Sequence, residues 1–406
     1  MQNGWRVGSI FNIPLYIDPT WFLIVGWITL RDGMEFQRAW GAPIAYSAGL
    51  AMALLLFASV LLHELGHSLV AKSQGINVNS ITLFLFGGVA TIESESKTPG
   101  KMFQVAIAGP LVSLSLALIA GAIVFFAPIT NPVLGVLLLR IATLNLVLTI
   151  FNLVPGLPLD GGQVLKAAMW KRTGSYIKGT LIAARSGRFL GYGIAALGLA
   201  DIFGISQQFG IPTIGGLWAV LIGSFMVRNA DRYTQVANLQ QILLDLKAQD
   251  VMSRDFRVLD GNWNLREFAD HAIVALDEPS AYFAAHDGRY RGRVDLNQVQ
   301  QIERSQWETQ TLSAIARPLS NIPSVTETTA LAQVINQLEQ QSDRAITVLS
   351  PAGAVAGMID RSDIIRVVAG KLGFSLSDEA LQQIKSSGQY PPGLQLASIA
   401  QAAQEM

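Results

Sequence analysis

The chain has 406 residues, of which half are hydrophobic and only 14% are charged. Soluble globular domains carry about 25% charged residues, so this composition excludes an ordinary soluble protein and a disordered one. The 29 basic residues balance the 29 acidic ones, which argues against a nucleic-acid-binding protein built on a basic surface. The absence of cysteine excludes disulfide frameworks, thiolate zinc sites and cysteine catalysis.

The balanced charge is distributed unevenly along the chain. Residues 1–230 contain 14 basic and 8 acidic residues, whereas residues 231–406 contain 15 basic and 21 acidic ones. Two regions in different solvents explain this shift most simply. We predict a transmembrane domain at 1–230, a linker helix at 231–246 that continues from the last span, a soluble module at 247–373, and a tail at 374–406 to which no function is assigned.

Long uncharged stretches predict about six transmembrane helices, since one span needs about 20 mostly apolar residues. Between Arg38 and Glu64 lie 25 uncharged residues, and between Lys101 and Arg140 lie 38. The second stretch is too long for one span, and the turn signal Pro-Ile-Thr-Asn-Pro divides it into two helices. The predicted spans are about 13–30, 44–71, 102–127, 133–155, 182–204 and 211–228.

The lysine and arginine distribution sets the predicted orientation. With six spans, ten basic residues fall on the side of the N-terminus, of the 72–101 and 156–181 segments and of the exit from the last span. Only Arg31 and Arg38 fall on the other side. Because basic residues are enriched in cytoplasmic segments, we expect both termini to be cytoplasmic. The N-terminus lacks the pattern of a cleavable signal peptide.

Two of the four histidines occur in His63-Glu64-Leu65-Gly66-His67. Residues i and i+4 project from one face of a helix, so both imidazoles can bind one metal ion. Glu64 lies beside them, placed to take a proton from a water that zinc activates. A solvated helix face is the alternative in a soluble protein. At the end of an apolar span, however, three ionisable side chains are costly unless they are paired or functional.

A catalytic zinc site needs a third protein ligand and an open position. His271 and His286 lie in the soluble region, which makes Asp160 the candidate. This residue ends the fourth predicted span, in the run Asn-Leu-Val-Pro-Gly-Leu-Pro-Leu-Asp-Gly-Gly from residue 152. The two prolines are expected to unwind the helix end and let a side chain turn inward. Because the second and fourth spans run in the same direction, Asp160 matches the histidines in depth. Considered alone, it would be an interfacial helix cap.

The combination of HELGH on the second span with NLVPGLPLDGG on the fourth resembles the site-2 protease family of intramembrane zinc metalloproteases. This resemblance covers the membrane half of the chain. It implies that His63, His67 and Asp160 bind one zinc ion per chain and that Glu64 is the general base. It also matches Asn152 to a family asparagine near the scissile bond, where an amide could stabilise the developing oxyanion. An interhelical hydrogen bond is the alternative role of Asn152.

Two further stretches fit the family. Residues 81–92 are predicted to form two strands with a turn at Gly87-Gly88. The family has a short sheet beside the active site, to which a substrate could add as an extended strand, so Gly87 and Gly88 are substrate-binding candidates. A plain surface hairpin is the alternative. Ala108-Gly109-Pro110 matches a family motif expected to provide close helix packing and a kink. Asp18 departs from the family, whose members often have histidine there.

A degenerate repeat at 247–310 and 311–373 resembles a tandem pair of CBS domains, which are similar to adenosine-nucleotide sensors. Their motif places Ser or Thr three residues after a glycine and Asp three residues further on. The second copy keeps Asp363 but has Asp360 at the hydroxyl position, and the first has Asp295 and Gln298. Because an aspartate there repels phosphate, nucleotide binding is disfavoured. Homodimerisation or gating is the alternative role of the pair.

These observations predict a multi-pass α-helical membrane protein with a short β-sheet near the active site and a C-terminal α/β CBS module. The predicted function is hydrolysis of a peptide bond in or near a transmembrane segment of a membrane protein substrate in the bilayer, regulated by the CBS pair. A CBS-gated cation transporter is the alternative, but transport pathways usually place ionisable residues along several spans. Here the ionisable residues within the predicted spans lie at one depth in the membrane, with the exception of Arg140. A catalytically silent scaffold is the third reading, against which the intact Glu64 argues.

Overall fold

A computed structural model of the protein describes residues 4–85, 87–208, 215–273, 281–341, 343–391 and 394–404. The chain divides into two compact units, Met1–Ala237 and Asn238–Met406. The first unit is mostly helical, whereas the second alternates short strands with helices.

The first unit contains both long apolar helices and short ones. They are α1 (Thr20–Trp40), α2 (Ala42–Ser73), α3 (Pro99–Phe126), α4 (Pro132–Asn152), α5 (Asp160–Thr173), α6 (Tyr176–Ile202), α7 (Ile205–Gln208) and α8 (Gly216–Asp245), of which α8 continues beyond the end of the unit. Within the described residues, α2, α3 and α4 are long and apolar enough to cross a membrane. The break between α3 and α4 lies at the predicted turn, where the Asn131 side chain accepts hydrogen bonds from the Val133 and Leu134 amides.

The other predicted spans agree less well with the helices. The first, 13–30, is wrong at its beginning, because residues 13–17 form a strand whose alternating side chains at Ile13 and Leu15 are buried. Helix α1 follows and continues to Trp40. The fifth predicted span lies within α6 except at its end, and α6 begins six residues earlier. Residues 211–214 of the sixth span lie outside the described residues, and the remainder falls in α8.

Arg140 lies inside the apolar helix α4 and is neutralised by two carboxylates of α1. Its guanidinium is 2.9 Å from Asp32 Oδ2 and 2.7 Å from Glu35 Oε1, and it lies over the ring of Phe36. Asp32 is buried. Because a charge inside an apolar helix is costly unless it is paired, these contacts explain how α4 tolerates Arg140.

A four-stranded sheet packs against α2. Its strands in spatial order are β1 (Trp5–Ile10), β2 (Ile13–Ile17), β3 (Val78–Phe84) and β4 (Gly87–Ile92). Strands β2 and β3 are parallel, with Leu15 opposite Ile81, and the other neighbours are antiparallel. Buried side chains of β2 and β3 form a core with Leu65 and Ala71 of α2. This packing places the sheet beside the histidine-bearing end of α2, with β4 as an outer strand.

The second unit contains two three-stranded sheets of the same topology. One consists of β5 (Phe256–Asp260), β6 (Ala281–His286) and β7 (Arg289–Val294), and the other of β8 (Ser324–Thr326), β9 (Ala345–Leu349) and β10 (Val355–Asp360). In each, the first two strands are parallel and the last two antiparallel. This shared arrangement is the structural counterpart of the sequence repeat.

Short helices complete the second unit. They are α9 (Ala248–Val251), α10 (Leu265–Phe268), α11 (Leu296–Gln301), α12 (Leu312–Ile315), α13 (Leu331–Gln340), α14 (Arg361–Lys371), α15 (Asp378–Ser387) and α16 (Leu396–Gln404), with a π-helical turn at Ala269–Ile273 and 3₁₀ turns at Arg304–Gln306 and Leu319–Asn321. In its described residues, the tail after residue 373 therefore contains the helices α15 and α16. Leu396 and Ala400 of α16 are fully buried in one core with Leu331 and Ile335 of α13, so the tail is an integral part of this unit.

Candidate metal centre

Helix α2 carries both motif histidines on a face directed into the protein. His63 and His67 are only 4% and 8% exposed. They are one helical turn apart, and their Nε2 atoms are 3.2 Å from each other. The i, i+4 spacing thus brings the two rings to one point, as the sequence predicts.

Asp160 reaches the same point from a different element. Helix α4 ends at Asn152, residues 153–159 are not helical, and Asp160 is the first residue of α5. The expectation that Asp160 ends the fourth span is therefore wrong. The proline-containing segment leaves the helix for seven residues, and a new helix starts at Asp160. The Asp160 carboxylate lies 3.0 Å from His63 Nε2 and 3.4 Å from His67 Nε2.

The three side chains fit a zinc ion. Their ligand atoms all lie within 4.8 Å of one another. Tetrahedral zinc with ligand distances of about 2.0–2.2 Å requires its ligand atoms to be roughly 3.3–3.6 Å apart. The observed separations of 3.0, 3.2 and 3.4 Å are close to that edge length. Two imidazoles and one carboxylate are also a donor set that catalytic zinc uses, with the fourth position open.

Helix α3 orients both imidazoles through contacts to their Nδ1 atoms. His67 Nδ1 lies 2.7 Å from the Val105 carbonyl, and His63 Nδ1 lies 2.9 Å from the buried Ser113 hydroxyl. Because a carbonyl only accepts hydrogen bonds, His67 must carry its hydrogen on Nδ1, which leaves the Nε2 lone pair for a metal. Sequence reasoning missed these two contacts. The available signal was the run of small residues at Ala106, Gly109 and Ser113, which share one face of α3.

Gly109 has a more direct role than the packing expected of its motif. A Cβ atom at this position would collide with His67 Nε2 and would lie 2.7 Å from His63 Nε2. The missing side chain therefore leaves open the space into which both ligand nitrogens point. The absence of a side chain at Gly109 thus allows close helix packing and also leaves room for a metal ion.

Glu64 lies beside β4. A Cβ atom at Gly88 would be 2.7 Å from Glu64 Cγ. The predicted Gly-Gly turn is wrong in detail. Gly87 and Gly88 already pair with Phe84 and Leu83 as the first residues of β4. Glycine at 88 is required because the strand passes so close to Glu64.

Two other sequence candidates have defined positions. Asn152, the last residue of α4, places its amide nitrogen 3.5 Å from His63 Nε2, within the same site. Asp18 lies elsewhere and has a local role, since its carboxylate accepts hydrogen bonds from the Thr20 amide at 2.9 Å and the Thr20 hydroxyl at 2.6 Å. These bonds fix the start of α1.

Substituting Gly109 tests this geometry. We expect Gly109→Ala to weaken zinc binding by about tenfold or more, because the new methyl group occupies the space of the ligand nitrogens. The measurement is chelator competition on the full-length protein in detergent. Gly121→Ala is the matched control, since a Cβ atom at Gly121 of the same helix meets nothing within 4 Å. Equal zinc affinities of the two variants would contradict the geometry.

Comparison with known proteins identifies the family of the chain. The model of peptidase family M50 matches residues 51–136 and 129–193, and the CBS domain model matches residues 312–370. A Synechocystis protein named as a zinc metalloprotease is 39% identical over 372 residues, covering 90% of this chain and 96% of its own. A Mycobacterium tuberculosis protein, likewise named, is 32% identical over 330 residues, covering 80% and 82%.

Among solved structures, a site-2 protease from Methanocaldococcus jannaschii is 31% identical. It covers 57% of this chain and 95% of its own, with a TM-score of 0.40. The identity and coverage of the Synechocystis relative show the family. The resemblance predicted from the HELGH and NLVPGLPLDGG motifs is thereby confirmed, and the chain belongs to peptidase family M50, as a zinc metalloprotease of the site-2 protease type.

Proposed function

We propose that the protein is an intramembrane protease that hydrolyses a peptide bond in or near a transmembrane segment of a membrane protein substrate. One observation carries this proposal. His63, Glu64 and His67 lie on a helix long and apolar enough to cross a membrane, and Asp160 of α5 meets the two histidines beside Glu64. In this assignment the two histidines and Asp160 are the zinc ligands. Cleavage within the bilayer is proposed because His63 and His67 lie on α2, where Asp160 reaches them from α5.

Glu64 is proposed as the general base. A bound zinc ion supplies a Lewis acid that acidifies water and polarises the carbonyl of a peptide bond. The Glu64 carboxylate then takes the proton from the attacking water and returns it to the nitrogen that leaves as the amine. Asn152, whose amide lies at the edge of the ligand cluster, is proposed to donate a hydrogen bond to the developing oxyanion.

Strand β4 is proposed to hold the substrate. A peptide bond in a helix is shielded by its own hydrogen bonds, so a transmembrane substrate must unwind before cleavage. Within the described residues β4 pairs with β3 alone, which leaves its other edge open to an added strand. Gly87 and Gly88 begin that strand next to Glu64. An extended substrate paired there would run directly past the base.

The second unit is proposed to regulate cleavage rather than to bind adenosine nucleotides. The Asp360 carboxylate accepts hydrogen bonds from the Ser362 amide at 2.7 Å and the Asp363 amide at 3.0 Å, at the start of α14. A helix N-terminus that could receive a phosphate is thus occupied by a carboxylate of the chain itself. Burial and the neighbouring Asp360 raise the pKa of Asp363 to about 6. Homodimerisation through this unit is the accompanying proposal.

Replacing the general base separates chemistry from metal binding. We expect Glu64→Ala to retain zinc but to lose cleavage by about a hundredfold or more, because no carboxylate remains to take the proton. The readouts are zinc content and cleavage of a transmembrane substrate in detergent. Comparative membrane proteomics of cells carrying wild type or Glu64→Ala identifies that substrate as the protein that accumulates uncleaved.

Glu93→Ala is the control for this experiment, since Glu93 is exposed just after β4. Wild-type cleavage by Glu64→Ala would overturn the mechanism. Metal flux into liposomes without any proteolysis would instead favour the transporter.

Orientation in the membrane is a separate prediction. The chain has no cysteine, so single-cysteine variants can be labelled without a background. We expect a membrane-impermeant maleimide to reach Lys171→Cys, on α5, from the cytoplasmic side only, and Thr130→Cys, between α3 and α4, from the opposite side only. Both positions are exposed. Labelling of both from the same side would contradict the proposed topology.

Removal of residues 247–406, which form most of the second unit, tests regulation. We expect deletion of residues 247–406 to change the cleavage rate of a fixed substrate, because the proposed regulator is absent. Zinc content of the truncated protein serves as the control for an intact first unit. An unchanged rate with full zinc content would leave the second unit an assembly module.

A further inference from the structure

A buried lysine lies on α5, the helix that starts with Asp160. Lys166 is 1% exposed and is one of the largest fully buried side chains within the described residues. An ammonium group in such a place is strongly unfavourable unless it is paired and hydrogen-bonded. Its Nζ donates to Glu95 Oε2 at 2.8 Å and to the Tyr176 hydroxyl at 2.6 Å.

These three residues connect three separate segments. Glu95 lies three residues after β4, Lys166 lies on α5, and Tyr176 is the first residue of α6. The Tyr176 hydroxyl also donates to Glu95 Oε2, and Lys166 Nζ lies 4.1 Å from the centre of the Tyr176 ring. Burial lowers the pKa of Lys166, and the Glu95 carboxylate opposes that shift. We call these residues the Glu95–Lys166–Tyr176 network.

The network joins α5 to α6 and to the segment after β4, and α5 also packs against α3. A Cβ atom at Gly179 of α6 would be 2.7 Å from the Lys166 carbonyl, so the two helices touch through their backbones. The Leu157 amide, in the segment before α5, donates to the Ala183 carbonyl of α6 at 3.2 Å. Lys166 follows Asp160 by six residues and therefore lies on a different face of α5. It can influence the metal site only through the position of the helix.

Stability alone does not explain why this contact is ionic. Only Lys166 of this pair is buried, since the Glu95 side chain is 56% exposed, and an apolar side chain in place of a buried charge is often as stable or more so. Charge-assisted hydrogen bonds differ from apolar packing because they are directional and fix a distance. A zinc ligand must be held to within about 0.5 Å by the residues that support it. The network supplies such a constraint on the helix that carries the ligand.

We propose that Lys166 and Glu95 are positioning residues that fix α5 so that the Asp160 carboxylate meets His63 and His67 at zinc-binding distance. This inference rests on the proposed role of Asp160 as a zinc ligand. Because Glu95 also follows β4, the same contact ties the strand beside Glu64 to the helix that carries the third ligand.

The test is the zinc affinity of the full-length protein in detergent, measured by chelator competition. We expect Lys166→Met to weaken zinc binding by about tenfold or more, and Glu95→Gln to weaken it by about threefold to tenfold. The double variant should bind zinc no more weakly than Lys166→Met, because both changes act on the same contact. Lys171→Met, an exposed position on the same helix, is the control and should match wild type.

Thermal midpoints of the zinc-free proteins are measured in parallel. A purely structural network would lower the midpoint of both variants and leave their zinc dissociation constants unchanged, and that result would overturn the proposal. If Lys166→Met fails to fold, Glu95→Gln decides, since glutamine keeps an acceptor for Lys166. Asp160→Asn in the same assay distinguishes failure of the proposed zinc ligand set from failure of the positioning role. Zinc binding unchanged in Asp160→Asn refutes the proposed ligand set. Zinc lost there but retained in both network variants refutes only the positioning role.

Discussion

The first unit depends on one contact, in which the carboxylate of Asp160 faces the two imidazoles of His63 and His67 in the protein interior. Ionisable groups in apolar surroundings are unfavourable unless they are paired or bind a metal. Several features of the surrounding chain make this contact possible. Helix α4 stops at Asn152, seven residues run without helical structure, and a new helix begins with the carboxylate directed inward. The Nδ1 atoms of both histidines are hydrogen-bonded by α3, so their Nε2 atoms point at Asp160.

The close approach of these elements explains where the chain has glycine. Gly109 leaves the space that the imidazole nitrogens face, and Gly88 lets β4 pass against Glu64. In both places a methyl group would occupy a position that the chemistry needs. The consequence is that the proposed base, the proposed ligands and the outer strand β4 lie within one small region. In the proposed mechanism, zinc ligation, proton transfer and substrate alignment then act on a single peptide bond.

Charged side chains away from the metal site in the first unit are also paired with groups of opposite charge. Arg140 is neutralised by Asp32 and Glu35 of α1, and buried Lys166 by Glu95. The two pairings act on different helices, since Arg140 lies within α4 and Lys166 on α5. Pairing also weakens the transporter reading, because Arg140 is part of a closed ion-pair cluster rather than a lone charge on a permeation path. In the second unit, Asp360 is likewise satisfied by amides of its own helix.

The sequence by itself indicated the metal site. Histidine spacing on a helix, a carboxylate after two prolines and a split of apolar from charged regions sufficed to predict a zinc site in a membrane domain with a soluble appendage, because each signal is local in the chain. The protease activity was implied by the resemblance of the HELGH and NLVPGLPLDGG motifs to the site-2 protease family. Prediction from the sequence failed where a structural feature depends on contacts between segments that are distant in the chain. The strands at 5–17 were missed or assigned to a span, because a short apolar run has no period that separates strand from helix without its partner at 78–84. Only the tertiary structure showed that Ser113 and the Val105 carbonyl orient the imidazoles, that Gly109 makes room for them, and that Lys166 is buried against Glu95. Contacts between residues 38 to 71 positions apart leave no local pattern, since they depend on how helices pack rather than on the residues beside them.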